Sequence, residues 1–78
     1  MKVIEIKPTG ENWKFHFFEL VVRFGLFFYT YKKVKVALSK YNGFNRTEGF
    51  ENYSLFEQLQ YEMEVEDYCR NFIKQNKV

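Results

Sequence analysis

The chain has 78 residues, a formal charge of +2, one proline and one cysteine, Cys69. That length accommodates one small domain, 1–78, and a single cysteine beside a single histidine excludes an intramolecular disulfide and a structural zinc site. Hydrophobic content of 46% argues against disorder, and 22% aromatic residues let a few side chains fill a small core, at roughly 150–250 Å² buried per ring.

In chain order, residues 2–7 form a short β-prone run, and Pro8-Thr9-Gly10-Glu11-Asn12 is a dense turn signal. Residues 13–24 read as a strand, because Phe18, Leu20, Val22 and Phe24 alternate with Glu19, Val21 and Arg23. Gly25 is placed to supply a positive φ for a hairpin turn. Residues 26–40 resume β character, with Val34, Val36 and Leu38 alternating with Lys33, Lys35 and Ala37. Tyr41-Asn42-Gly43 closes that strand, and the polar loop 41–53 carries Phe44, Phe50 and Tyr53, which are expected to tuck back onto the protein.

Ser54-Leu55-Phe56-Glu57 is a capping box, in which the Ser hydroxyl accepts from the N3 amide and Glu57 reaches back. No Gly or Pro follows, so a helix is predicted over about 55–75. The expected fold is therefore α+β: a three-stranded antiparallel sheet followed by one long C-terminal helix, in the order β-β-β-α. At about 100° per residue, Leu55, Phe56, Leu59 and Met63 share one side of that helix. Val65, Tyr68, Cys69, Phe72 and Ile73 fall on another side, which predicts a kink near 63–65 or a second packing partner. The competing reading of Phe15–Tyr31 is an apolar helix. Its length, with His16, Glu19 and Arg23 inside, argues against a membrane span.

Met1 and the absence of a leader pattern in Met1–Lys7 are read as a complete small cytoplasmic protein. Asn45-Arg46-Thr47 matches a glycosylation sequon and is read as loop sequence. The Lys, Asn, Phe and Tyr richness fits an AT-rich coding sequence such as that of many phages.

Candidate chemistry is sparse. His16 and Cys69 are the obvious nucleophile–base pair, yet each reads more simply as structural, His16 at a sheet edge and Cys69 in the apolar stripe of the helix. The acidic residues of the helix lack the Gly-containing loop of an ion cage, and no Gly-rich phosphate loop exists. Neither a metal nor a cofactor is expected, and the chain is read as a non-enzyme.

Charge, in contrast, is segregated. Residues 1–40 hold eight Lys/Arg against three acids, whereas residues 41–78 hold four against seven. Two surfaces follow. One is an aromatic and basic sheet face of Phe15, Phe17, Arg23, Phe27, Tyr29, Tyr31, Lys33 and Lys35, of a kind that suits core, interface or single-stranded nucleic acid. The other is the acidic helix, where Glu57, Glu62, Glu64, Glu66 and Asp67 suit a protein partner with a basic surface.

One helix covers one face of a three-stranded sheet, so a homodimer is expected, burying Val65, Tyr68, Phe72 and Ile73 or the aromatic sheet face. A loop 44–53 folded over the open face is the monomeric alternative. The leading functional expectation is a small protein-binding factor, for example a phage- or mobile-element-encoded inhibitor of a host nuclease or defence complex, such as an anti-CRISPR protein. A nucleic-acid-binding protein and a structural subunit are the alternatives.

Overall fold

A computed structural model describes residues 1–41 and 43–76. Five elements follow one another: β1 (Lys2–Glu11), β2 (Phe15–Phe24), β3 (Thr30–Ser39), β4 (Arg46–Glu48) and α1 (Leu55–Asn76). The strands form one antiparallel sheet in the order β1-β2-β3-β4, with α1 packed on one face. The architecture is thus a small α+β fold, and its sheet has four strands where the sequence pattern indicated three.

The differences from expectation have local causes. Strand β1 runs straight through the Pro8-Thr9-Gly10 turn signal. As an edge strand it tolerates a proline that lacks a donor, and its register slips between Val3 and Glu5 and between Pro8 and Gly10, where bulges absorb the misfit. The actual turn centres on Asn12, whose Oδ1 accepts hydrogen bonds from the Lys14 and Phe15 amides at 2.8 and 2.7 Å.

Strand β3 begins at Thr30, not at residue 26. Gly25 takes φ +114°, and a Cβ there would collide with the Phe28 carbonyl oxygen, so Gly25–Tyr29 forms a loop despite its β-prone composition. Strand β4 lies inside the expected loop 41–53 and is only three residues long. It exists because β3 offers it a partner edge, with Thr47 opposite Val36. Asn42 of the expected turn lies outside the described residues.

Helix α1 is uninterrupted through 63–65. Its start is capped as expected: Ser54 Oγ accepts from the Glu57 amide at 3.3 Å, and Gln58 N donates to Ser54 O at 2.8 Å. The return contact differs, because the Ser54 hydroxyl donates to Glu57 Oε1 at 2.9 Å.

The two apolar stripes are adjacent faces of one continuous helix. Val65 and Cys69 are fully buried, and Tyr61, Phe72 and Ile73 pack beside them. Leu55, Phe56, Leu59 and Met63 face outward. The core against α1 is built from Phe18, Leu20, Val22, Val34, Val36, Leu38 and Phe50. Phe50 and Tyr53 return from the loop to the helix side, where they and Tyr61 surround Phe24 with ring centroids 5.2–6.5 Å apart. Phe44 does not return and is 95% exposed. Loop 44–53 therefore leaves the opposite sheet face open, and the Cα framework is only 16 Å thick, as two layers require.

Candidate functional site

The open face of the sheet follows from strand alternation. Phe18, Leu20 and Val22 of β2 point into the core, so Phe15, Phe17, Glu19, Val21 and Arg23 point away from it. The register sets Tyr31 opposite Arg23, Lys33 opposite Val21, and Lys35 opposite Glu19. Phe15, Phe17, Arg23, Tyr31, Lys33 and Lys35 thus share one face, as the alternation indicates. Phe27 and Tyr29 do not lie on it, since both belong to the hairpin loop. Tyr29 nevertheless stacks against Arg23, with the guanidinium carbon 4.2 Å from the ring centroid.

Pairing adds residues that the sequence pattern missed. Strand β1 brings Lys2, Glu5 and Lys7 to this face, opposite Arg23, Val21 and Glu19. Strand β4 brings Arg46 and Glu48, opposite Ala37 and Lys35. No local signal marks these positions, because the pairing partner decides which face they occupy. The result is a cross-strand row, Lys7–Glu19–Lys35–Glu48, in which charge alternates across all four strands. Beside that row lies a groove of about 410 Å³ between Phe17, Glu19, Lys35, Arg46 and Glu48. Phe15 and Phe17, with ring centroids 6.0 Å apart, form its aromatic shoulder.

The acidic helix is less free than its composition implies. Glu66 is half-buried and accepts from Asn45 Nδ2 at 3.1 Å and Thr47 Oγ1 at 2.8 Å, which ties α1 to β4. Glu57 holds the cap, Glu62 accepts from Gln58 at 3.2 Å, and Asp67 pairs with Arg70 at 2.6 Å. Glu64 is exposed on the outward side. The Asn45 amide of the sequon is likewise engaged, because its Oδ1 also accepts from the Ser39 amide at 2.8 Å.

The residues expected at a subunit interface fall elsewhere. Val65 lies in the chain's own core, Phe72 and Ile73 pack on that core, and Phe72 meets Phe18 edge-on at 5.9 Å. Of that set Tyr68 remains exposed.

Cys69 is fully buried, and burial, reinforced by Glu66 and opposed by Arg70, pushes its thiol up to about 12. A thiol so placed stays protonated at neutral pH. His16 is half-buried near the start of β2, 3.6 Å from Glu11, which also pairs with Lys40. Lys40 chiefly holds the exposed Glu11 carboxyl below its usual range.

Among the described residues no group of His, Cys, Asp and Glu is arranged to hold a metal ion, and no helix is long and apolar enough to cross a membrane. No protein family, curated protein or solved structure matches the chain.

Proposed function

We propose that this chain is a small non-enzymatic protein-binding factor that acts in the cytoplasm and engages its partner with the open face of the sheet. The observation that carries the reading is the uncovered groove beside Phe15 and Phe17, with cations and carboxylates interleaved around it. A half-exposed aromatic surface with alternating charge suits a protein partner, which offers both signs in return.

Single-stranded nucleic acid is the second reading, favoured by Lys2, Lys7, Arg23, Lys33, Lys35 and Arg46 beside stacking rings. Glu5, Glu19 and Glu48 on the same face weigh against it, because each repels phosphate. In its concrete form the factor is an inhibitor of a nuclease or defence complex encoded by a phage or mobile element. The segregated charge of the two halves supports that form.

Affinity capture from host extract, repeated with Phe17→Asp and with Lys35→Glu, tests the reading. A specific protein retained by the native chain and lost with both variants is expected. Capture that survives both variants refutes the sheet face as the binding surface. Tight, salt-sensitive binding to a single-stranded oligonucleotide, lost with Lys35→Glu, replaces the protein reading with the nucleic-acid one.

A further inference from the structure

A second apolar surface lies away from the open sheet face. The hairpin loop between β2 and β3 exposes Leu26, Phe27 and Phe28 at 85, 89 and 90%. The start of α1 exposes Leu55, Phe56, Leu59 and Met63 on its outward side. Both features leave the same aromatic cluster. Phe24, directly before the hairpin loop, sits 5.4 Å from Tyr53, directly before the helix, and 5.2 Å from Tyr61. They therefore occupy one end of the molecule.

Size decides that this surface is more than scattered exposure. At the exposures of these seven side chains, the apolar area is on the order of 900 Å². The largest patch on a typical monomer is about 300–600 Å², and one side of a standard interface buries about 800 Å².

Charge decides the occupant. The hairpin side of the patch is bordered by Arg23, which stacks on Tyr29, and by Lys32, which lies over Tyr53 and faces Glu51, so cations are in excess there. The helix side carries Glu57, Glu64 and Asp67 against Arg70, which pairs with Asp67, so carboxylates are in excess there. A patch with one cationic flank and one acidic flank is complementary to a second copy of itself. An anionic lipid surface would be repelled by the helix flank.

We infer that the chain forms a two-fold dimer in which the Leu26–Phe28 hairpin of each copy packs on the outward Leu55–Met63 helix face of the other. The contact is isologous and reciprocal: the hairpin meets the helix twice, cations opposite carboxylates each time. The open sheet faces stay outside this interface, so the dimer presents two of them. The inference stands apart from the partner reading, since it uses neither Phe17 nor Lys35.

Sedimentation equilibrium of the full chain at micromolar concentration is the test. The native chain is expected at twice its 9.6 kDa mass. Phe27→Asp and Met63→Lys, both at exposed positions, are each expected to weaken the dimer by at least about thirtyfold while the circular dichroism spectrum stays native. Mixing the two variants is expected to restore a heterodimer. In that mixture the native helix face of Phe27→Asp meets the native hairpin of Met63→Lys, and the second contact sets Asp against Lys.

A native chain that stays at 9.6 kDa and does not shift on dilution overturns the inference. So does a mixture that fails to associate, which would indicate hairpin-to-hairpin packing. Loss of the dimer with Phe17→Asp, leaving Phe27→Asp dimeric, overturns it in favour of the sheet face. A monomeric chain that floats with phosphatidylserine–phosphatidylcholine vesicles overturns it in favour of a lipid surface.

Discussion

Two phenylalanines of the same loop, Phe44 and Phe50, are expected to differ sharply on truncation. Phe50 has no solvent exposure and meets Tyr61, Tyr53 and Phe24 with ring centroids 5.5, 6.1 and 6.5 Å away. Phe50→Ala removes the transfer free energy of a buried ring and leaves a cavity that the surrounding rings fill only in part. Such changes cost about 3–5 kcal/mol. At about 0.05–0.15 kcal/mol per residue, a 78-residue domain holds about 4–12 kcal/mol in total, so this one ring carries a large share. Phe44→Ala is expected to change stability by no more than about 0.5 kcal/mol, as surface substitutions do. Urea unfolding followed by circular dichroism, at one fixed chain concentration, reads both values. With a slope of about 1 kcal/mol per M, the Phe50→Ala midpoint falls by about 3–5 M, and that of Phe44→Ala stays near the native one. Equal costs for the two variants, or a cost for Phe50→Ala below about 1.5 kcal/mol, would refute the packing of this loop on the helix side.

Ser54→Ala should destabilise by roughly 0.5–2 kcal/mol in the same assay, because the Glu57 amide loses its acceptor; an unchanged midpoint would mean that the cap contributes nothing. Glu66→Ala and Thr47→Ala should each cost about 1–2 kcal/mol and be non-additive together, since the first leaves the Thr47 hydroxyl without its acceptor and the second leaves Glu66 Oε2 without its donor, with Asn45 still on Oε1; additivity would deny the bracket between α1 and β4. Burial raises the Cys69 thiol from about 9 to about 12, so the folded state binds that proton more tightly than the unfolded one. The stabilisation is complete below about pH 9 and is lost as pH rises through about 12. Tyr61, also raised chiefly by burial, acts in the same direction, so Cys69→Ala should flatten the alkaline decline without removing it; an unchanged pH profile would sink the assignment. The native thiol should resist a disulfide reagent at neutral pH and react once the chain is unfolded; fast reaction in the folded state would contradict its burial.

Local signals were sufficient where the physics is local. Alternation along Phe18–Phe24 and Val34–Leu38, the cap at Ser54 and the unbroken run after it determine two central strands and the helix without reference to the rest of the chain. The same alternation puts Phe15, Phe17, Arg23, Tyr31, Lys33 and Lys35 on one face once β2 and β3 pair.

What depended on partners was decided only by tertiary structure. Proline and glycine at 8 and 10 signal a turn in any local reading, but an edge strand needs hydrogen bonds from one side only and accommodates both. Arg46–Glu48 has too few residues to show a period, and becomes a strand because the β3 edge is there to receive it. Both stripes of α1 are apolar in sequence. The sheet, and the bracket from Asn45 and Thr47 to Glu66, determine that Val65 and Cys69 face the core and that Leu59 and Met63 face solvent. A helix specifies its stripes through the spacing of its own residues, whereas the choice between two stripes is a packing energy and exists only once another surface is in place.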